Sequence, residues 1–584
     1  MAGTKDGKSR MGITLQGYHQ VIALSQTNIN QALKYHFTVN NPKLCDFQAS
    51  LGPEHDPDNT LKGKILPPTI ELIDADKADQ ALYTIEFTPG AKYTGLVQDP
   101  NDRRHLMPKS FSAEGWKLVF FVNFSMQKAA QLPEDIQKIV MKTNAYSVDQ
   151  LVVVFGTANL LTFNWDKSKF PSLASDKEAL LDAKTVMSQF IEKWLLSLAS
   201  ADPGQSHNVL GYTLKVDVPG DASRGQLLEK IGDPKVPPSF TPAAVQFQTI
   251  ANKPDAASPG DPADPYNAFL FTEMCYTESP EEVARGKIVP PRFPSNDLAW
   301  SGNWFYDSIG GTMAMSSEIF QKEFIGKLVE PLHVAATRFA EPLARRQTWD
   351  ADDRVAQMKP KRDFLPAWTT PKGWEKTAEN HWLYKSLLQA THSNVRWFEG
   401  GKADLYNVAI NVDSVMTTVI AAIPATGKFE IRQVIQTVTK WTHESYVFDA
   451  TSTFHWKYIV QLDAVSSNAE LTAHVEYEKG AQDLTSTITD KGKVIHGVGS
   501  DEPDDEKTKW DRYQDLLKST IVNKMTDTSS FTSKIQDGLN GQKRFVFPGG
   551  GTFDMKDPIF TNAGDLMLGL VYRERKAKKP AAST

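Results

Sequence analysis

Four long alternating segments between residues 403 and 477 constrain the fold of this chain more than any other feature. They are VAINVDSVMTTVIAAI, FEIRQVIQTVTKW, YVFDATSTFHWKYIVQL and AELTAHVEY. Apolar and polar residues alternate along them, and Val, Ile, Thr and aromatic residues predominate, which is typical of strands with one covered face. The pattern predicts an α+β protein that is rich in β structure, with long antiparallel sheets.

Few segments show helical periodicity, and each of these carries an apolar stripe. The clearest is residues 178–199, EALLDAKTVMSQFIEKWLLSLA. Its apolar positions fall on one face of a helix, so we expect a central buried helix; they are Leu180, Met187, Phe190, Ile191, Trp194 and Leu198. A further helix is predicted over 507–525.

One supersecondary unit is predicted to occur twice. Near the N-terminus a short strand with Val21 and Ile22 precedes a helix capped by Ser25 or Thr27. A similar strand, serine and helix follow one another around Ser316, with Phe320 on the apolar face of the helix. The segments Ala23–Ser25 and Ala314–Ser316 occupy equivalent places in the two units.

The length of 584 residues predicts more than one domain. Two stretches have the composition of exposed, mobile connections: 251–265 is rich in Pro, Ala and Asp, and 497–507 is acidic. The predicted division is an N-terminal β-rich lobe (12–250), a linker (251–265), a strand–helix segment with an insert (266–400), an antiparallel sheet (401–496), a C-terminal helix with closing strands (507–573) and a basic tail (574–584).

Charge and cysteine content limit the partners and the compartment. The net charge of −6 lacks the basic excess of a nucleic-acid binder, so no nucleic-acid partner is expected. The only cysteines are Cys45 and Cys275, which form no disulfide framework, although they are free to pair. The sequence shows neither a secretory signal nor a membrane-spanning stretch. We expect a soluble protein that is cytoplasmic, or exported without a classical signal peptide.

Motifs that carry chemistry are largely absent. The chain has no HExxH, CxxC or GxSxG motif and no dinucleotide fingerprint, so no enzyme, metal or cofactor is predicted and no catalytic residue is assigned. Weak candidates have structural alternatives. The segment from Gly3 to Ser9 is either a phosphate loop or a polar terminus, and Gly549–Gly551 either an anion cradle or a turn. The stretch 501–506 is either a calcium site or a solvated acidic loop.

Histidines and the C-terminus leave similar alternatives. His443, His455 and His474 are either ligands or ordinary sheet residues, and sheet residues are favoured because no second ligand stands at metal-compatible spacing. The basic C-terminal cluster, RERKAKK, either contacts anionic lipid head groups or forms a solubilising tail.

The C-terminal segment RFVFPGGGTFDMKDPIFTNAGDLMLGLVY resembles the closing segment of a known family. This is the clostridial forty-seven-kilodalton protein family, found beside OrfX proteins in botulinum-type toxin gene clusters. The matching positions are Phe545 to Gly549, Thr552 to Met555, and Asp565-Leu566 through Tyr572. Weaker matches occur in the same order: Gly17-Tyr18 with Val21 and the helix near 28–33, Pro67-Pro68 with Ile70, Leu72 and Gly90, and Gly311-Thr312 through Ser316 and Phe320. The chain departs from the family in the insert-like region 345–395 and in both linkers.

The resemblance implies a tubular lipid-binding (TULIP) fold, in which a curved antiparallel sheet wraps around a long helix and leaves an apolar groove. It also implies lipid or another apolar ligand as a partner, with protein partners of a toxin-like complex as a further implication. No lipid-binding residue carries over from the family. Three functions therefore stay open: a lipid-binding or lipid-transfer protein, a scaffold or protein-interaction protein with a filled core on the same fold, and an enzyme whose site the sequence does not show.

Overall fold

A computed structural model of the chain shows a β-rich protein built from several antiparallel sheets and a few helices. The residues that it describes are 7–40, 42–52, 59–72, 80–99, 101, 104–128, 146–154, 163–201, 209–216, 242–252, 261, 264–275, 292–294, 300, 304–305, 310–337, 368–369, 373–395, 408–443, 446–465, 470–478, 485–491, 529, 532–533, 535–536 and 552–573.

Three longer helices, several short 3₁₀- and π-helical segments and 22 strands are defined within these residues. The helices are α1 (Gln26–Tyr35), α2 (Lys177–Ala201) and α3 (317–337), the last of which is a π-helix over Glu318–Gly326. The first eleven strands are β1 (Gln20–Ser25), β2 (Asp46–Leu51), β3 (Asn59–Lys64), β4 (Thr69–Leu72), β5 (Gln80–Glu86), β6 (Lys92–Gln98), β7 (Leu106–Ser112), β8 (Lys117–Lys128), β9 (Tyr146–Val154), β10 (Val209–Val216) and β11 (Pro242–Ile250). The others are β12 (Ala268–Cys275), β13 (Gly311–Met315), β14 (Glu375–Ala378), β15 (His381–Val395), β16 (Val408–Ile423), β17 (Lys428–His443), β18 (Tyr446–Val465), β19 (Glu470–Tyr477), β20 (Thr485–Lys491), β21 (Thr552–Phe560) and β22 (Leu566–Arg573).

A six-stranded antiparallel sheet joins distant parts of the chain. Its order is β11-β12-β1-β13-β22-β21, so it draws on segments near residues 20, 270, 313 and 570. Every residue of β1, β12 and β13 is buried, because apolar clusters cover both faces of the sheet. This central sheet therefore takes strands from three segments of the predicted domain division, whose boundaries stay a prediction.

The predicted repeat is present at the middle of this sheet. Strands β1 and β13 lie side by side and antiparallel, and a helix follows each of them. Ser25 Oγ accepts the N–H of Asn28 at 3.2 Å, and Ser316 Oγ accepts the N–H of Ile319 at 3.3 Å. Each serine thus satisfies an N–H that the first turn of its helix would otherwise leave unpaired.

Two smaller sheets and α2 form the N-terminal part of the structure. Their strand orders are β2-β3-β6-β7 and β10-β9-β8-β5-β4. Helix α2 packs on β2 and β6 through the predicted stripe: Met187, Phe190 and Ile191 are fully buried and Leu180 is half-buried. The side chain of Leu198 lies outside the described residues.

Helix α1 covers the free edge of β4 with polar side chains. The Asn30 amide accepts the N–H of Ile70 at 2.7 Å and donates to its carbonyl at 3.0 Å. The N–H of Leu72 donates to Gln26 Oε1 at 2.6 Å. These bonds satisfy backbone groups of an edge strand that would otherwise be open to pairing with another chain.

The four alternating segments between residues 403 and 477 form four neighbouring strands, β16 to β19, of one seven-stranded sheet. Its path is β14-β15-β16-β17-β18-β19, with β20 paired to the outer part of β18. The prediction of long antiparallel strands is confirmed, and β15 adds a strand that the sequence analysis did not identify. At the turn between β16 and β17, the N–H of Ala425 donates to Phe560 O at 3.0 Å, which attaches this sheet to the edge strand β21 of the central sheet.

Several predictions fall on residues outside the described part of the chain. They are the acidic connection 497–507, the helix over 507–525, the glycines 549–551, the basic tail 574–584 and most of the linker 251–265. These stay predictions.

Candidate functional site: an apolar helix–sheet interface with a buried polar row

Helix α3 lies against the apolar inner face of the seven-stranded sheet. Near its start, the ring of Phe320 lies 5.9 Å from the ring of Phe429 and 5.7 Å from that of Phe560. Further along, Gly326 lies against Trp374, and a Cβ at this position would be 2.7 Å from Trp374 Nε1. The glycine therefore permits a close approach that any other residue would obstruct.

A row of buried polar side chains crosses this apolar face. His333 Nε2 lies 2.8 Å from Ser386 Oγ, and His333 Nδ1 lies 2.8 Å from Thr418 Oγ1. Gln433 Nε2 donates to Thr418 Oγ1 at 3.0 Å, and Trp456 Nε1 donates to Gln433 Oε1 at 2.8 Å. The row connects α3 with four strands, β15 to β18.

The strand register explains how the row forms. Thr418 stands directly opposite Gln433, and Gln433 directly opposite Trp456, so the three side chains lie side by side on one face. Their neighbours two positions away on the same face are buried hydrophobic residues, among them Met416 and Ile420. An unpaired polar group in such surroundings is strongly unfavourable, and here each side chain satisfies the next.

The hydrogen bonds assign the protonation of the imidazole. Since Thr418 accepts from Gln433, its own hydroxyl proton is available to His333 Nδ1, and the Nε2 proton of the neutral ring then goes to Ser386. Burial lowers the pKa of His333 to about 4, which agrees with a neutral ring. The Tyr384 ring packs edge-on against the imidazole at 4.9 Å.

His333 and Ser386 are as close together as a catalytic base and its serine nucleophile, but they are not accessible to a substrate. A nucleophile has to meet a substrate, whereas the side chains of Ser386 and His333 are buried in the interface. The hydrogen bonds of the row position α3 relative to the sheet. The row also places a few polar atoms within an apolar wall, which is the usual composition of a site for an apolar ligand.

Two further tryptophans supply polar atoms near this interface. Two ammonium groups lie over the ring of Trp382, with Lys322 Nζ 5.6 Å and Lys376 Nζ 5.9 Å from its centroid. Trp368 packs on the apolar residues of β15 and β16. Among the described residues, the indole N–H groups of Trp368 and Trp382 are buried without an acceptor. Each is a donor that a bound oxygen would satisfy.

The C-terminal hairpin holds the start of α3. Asp565 Oδ1 accepts the N–H of Ser317 at 2.8 Å, and Gln321 Nε2 donates to Gly564 O at 2.7 Å. Burial raises the pKa of Asp565 to about 6, although the bond from Ser317 and the nearby Lys376 act in the opposite direction. In the other unit of the repeat, the N–H of Gln26 donates instead to the backbone carbonyl of Asn267 at 2.8 Å.

A second helix–sheet interface of similar type lies in the N-terminal part. Trp194 of α2 stacks on Phe47 of β2 with ring centroids 5.0 Å apart. The hydroxyl of Tyr93 donates to Asp182 Oδ2 at 2.9 Å, and burial, together with this carboxylate, raises the pKa of Tyr93. Aromatic rings fill the space between this helix and its sheet.

The weak candidates from the sequence do not come together at one site. His443, His455 and His474 lie in β17, β18 and β19, as expected of sheet residues. Cys45 and Cys275 do not form a disulfide. Residues 7–9, the described end of the possible phosphate loop, belong to a 3₁₀-helix (Gly7–Gly12). The glycines 549–551 and the acidic stretch 501–506 lie outside the described residues.

Two features are not found among the described residues, a metal-binding cluster and a membrane-spanning helix. In the described ranges, no three His, Cys, Asp or Glu side chains lie close enough together to hold a metal ion. None of the described helices combines the length and apolar composition that a membrane crossing requires.

The polar row was not predicted, although the sequence carries a signal for it. Thr418 occupies a position between Met416 and Ile420 in the apolar phase of β16, and Gln433 lies between Ile431 and Ile435 in β17. A polar residue in the buried phase of a strand indicates a buried partner. His333 had no comparable signal, because its two partners lie 53 and 85 residues away.

Comparison with known proteins gives distant structural matches. No family model and no curated protein matches the chain. Among solved structures, P47 of Clostridium botulinum E1 is similar over 95% of this chain and 99% of its own length, with 10% sequence identity and a TM-score of 0.42. A lipopolysaccharide binding protein aligns over 95% of this chain and 99% of its own, with 9% identity and a TM-score of 0.29. Similarities this low do not establish a family.

Proposed function

We propose that the protein is a non-enzymatic lipid-binding protein that holds acyl chains against the inner face of the seven-stranded sheet. The observation that carries the proposal is the length of this sheet. Strands β16 and β17 have 16 residues each and span about 50 Å, whereas the 21 residues of α3 span about 30 Å. The strands are therefore about 20 Å longer than the part of α3 that the structure describes.

The described part of the extra face is mainly apolar, and its two buried hydroxyl groups satisfy each other, since Ser414 Oγ donates to Thr437 Oγ1 at 3.0 Å. Leu388, Ala390 and Val412 form a small cluster of their own beyond the polar row, and Trp368 packs on them. An acyl chain in this region would meet aliphatic walls, and its ester oxygen would find an unsatisfied indole N–H on Trp368. Each methylene transferred from water contributes about 0.8 kcal/mol, so affinity should rise with chain length more than with head-group charge.

The test is a titration with lipids of one head group and increasing acyl length, at low and high salt. Native mass spectrometry of the purified protein adds a direct search for a bound acyl species. The expected result is affinity that grows with chain length and persists at high salt. Binding that is independent of chain length and vanishes with salt, or no binding at all, would refute the proposal.

A pair of variants locates the binding. Ala390→Trp adds bulk to the apolar cluster and should weaken the binding of the longest chains. Thr391→Trp is the matched control, because the adjacent residue is exposed and lies on the opposite face of β15. Equal binding by the two variants would place the lipid elsewhere.

A scaffold with a filled core is the second candidate, favoured by the packing around α2. The Phe47 ring lies 5.0 Å from both Trp194 and Phe87, so side chains of the protein occupy that interior. A scaffold would show no bound acyl species and no response to chain length. An accessory role in a toxin-like complex with protein partners follows from the sequence resemblance alone.

A further inference from the structure

The turn between β21 and β22, residues 561–565, lies against the first residues of α3. Asp565, at the end of this turn, is 6% exposed, and its Oδ1 accepts the N–H of Ser317 at 2.8 Å. One helical turn later, the side-chain amide of Gln321 donates to Gly564 O at 2.7 Å. From these contacts we infer that the turn is a pH-sensitive latch, which holds the start of α3 more tightly when the carboxyl group of Asp565 is protonated.

The backbone of the latch fixes the carboxyl group in its buried position. The N–H of Thr561 donates to Asp565 O at 2.9 Å, and the N–H of Asp565 donates to Thr561 Oγ1 at 3.1 Å. Gly564 packs so closely that a Cβ at this position would be 2.7 Å from Gln321 Nε2 and 2.9 Å from Asn380 Cα. The carboxyl group therefore stays away from water for as long as the latch lies against α3.

A protonated carboxyl group suits this position better than a carboxylate. The neutral group keeps Oδ1 as an acceptor for the N–H of Ser317 and carries its proton on Oδ2, so the bond to the helix is retained. The ionised group makes a stronger bond to the same N–H, but its charge loses the solvation that water provides. Burial is the larger of the two effects and raises the pKa of Asp565 to about 6.

Lys376 of β14 is the charged residue that acts against this effect. Its Nζ donates to Ser317 Oγ at 3.5 Å and its charge lowers the pKa of Asp565, but none of the ion pairs between described residues includes Asp565. Lys322 is paired with Glu318 at 3.0 Å. The other ionisable side chains on the elements packed around the latch and the start of α3 are Arg10, His19, Glu323, Glu375, Glu379 and Lys428. A single ammonium group beyond ion-pair distance offsets only part of the cost of burying a carboxylate.

The direction of the pH response follows from the closed and open states of the latch. Opening exposes the carboxyl group of Asp565 to water, where its pKa is 3.8 rather than about 6. The open state therefore loses the proton at a lower pH than the closed state, and a rise in pH between these values favours opening. With these two pKa values, the equilibrium constant for opening rises about tenfold between pH 5 and pH 7. The inference is independent of acyl-chain binding, which involves the sheet beyond the polar row, away from the start of α3.

Hydrogen exchange of the full chain at pH 5, 6 and 7, corrected for the intrinsic pH dependence of exchange, tests the inference. Protection in peptides from the first turn of α3 should fall about tenfold from pH 5 to pH 7. The start of α1 is an internal control that should show no change, because the N–H of Gln26 donates to the backbone carbonyl of Asn267, which does not titrate. D565N should abolish the response at α3, since its amide accepts the same hydrogen bond and does not ionise.

A matched control variant is D176N. Asp176 Oδ1 accepts the N–H of Ala179 at the start of α2 at 3.0 Å, and this bond lowers the pKa of Asp176, whose side chain is partly exposed. The wild-type response at α3 should persist in this variant.

Lys376→Met tests the titration with Asp565 in place. Loss of the ammonium group should raise the pKa of Asp565 and move the midpoint of the response at α3 to higher pH, whereas K376R should leave the midpoint unchanged. Constant protection at α3 in the wild type, a response that persists in D565N, or an equal response at α1 would overturn the inference. An unchanged midpoint in K376M would overturn it as well, because the titrating group would then lie elsewhere.

Discussion

Replacement of Trp194 by alanine tests the placement of α2 at the centre of the N-terminal part. The indole is 1% exposed, stacks on Phe47 at 5.0 Å and an interplanar angle of 26°, and donates from Nε1 to Asp46 O at 3.3 Å. Truncation removes the stacking and leaves a cavity between the helix and β2. The surrounding sheet restricts collapse of this cavity, which is the condition for a large loss of stability.

The expected loss of stability in W194A follows from the area that the Trp194 side chain buries. A tryptophan side chain removes about 150–250 Å² from water, which corresponds to about 4–6 kcal/mol at about 25 cal/mol per Å². Alanine retains a small part of this, and buried aromatic-to-alanine changes destabilise by about 3–5 kcal/mol. We expect a decrease in this range for W194A and a smaller decrease for W194F, whose ring still packs on Phe47.

Urea unfolding followed by circular dichroism measures the total effect. Hydrogen exchange in peptides from α2 measures the local effect, which matters because the chain contains more than one sheet body. The matched control is Leu181→Ala on the exposed side of the same helix, where a change within about 0.5 kcal/mol is expected. If W194A and L181A unfold and exchange alike, the reasoning about α2 is wrong.

Three further predictions concern ionisation and helix capping. Burial lowers the pKa of His333 to about 4, so the stabilising contribution of the neutral imidazole is complete above its pKa of 6.5 in the unfolded chain and is lost as the pH falls towards 4. The urea midpoint of the wild type should therefore fall between pH 6.5 and 4, and H333Q should show a smaller fall. An equal fall in H333Q would contradict this. Burial raises the pKa of Asp565 to about 6, so the stabilising contribution of the protonated carboxyl group is complete below its pKa of 3.8 in the unfolded chain and is lost as the pH rises through 6. The stability of D565N relative to the wild type should therefore increase from about pH 4 to about pH 7. A stability difference that stays constant over this range would refute the raised pKa. Ser316→Ala should destabilise the protein by about 1 kcal/mol in urea unfolding and Ser316→Gly by only a few tenths, because glycine is a tolerated cap; equal losses would argue against capping by Ser316.

The candidate site was only partly predictable from the sequence. Three of the four strands that carry it, β16 to β18, follow from their alternation, and the helix after Ser316 follows from its apolar stripe. The polar row needs Thr418, Gln433 and Trp456 to stand in register, and register depends on which strands pair and at which turn. The pairing of His333 with this row depends further on how α3 lies across the sheet.

The turn at Pro89-Gly90 shows the same limit at a single position. Gly90 has a φ of +88°, which a glycine after a proline in a tight turn readily adopts, and strands β5 and β6 flank the turn. Yet β5 and β6 belong to different sheets. Turn chemistry determines the local direction of the backbone, and it does not determine the partner of either strand.

The sequence by itself determined the local structure of this protein. Side-chain periodicity records which residues share a face, so strands 408–477, the stripe of α2 and the serine caps could be recognised from neighbours a few positions apart. The tertiary structure decided which strands meet. Backbone hydrogen bonds are chemically alike in every strand, so the assembly of β1, β12, β13 and β22 into one sheet depends on the packing of both its faces. Contacts between segments hundreds of residues apart leave no periodic pattern in the sequence, and the central sheet and the polar row both consist of such contacts.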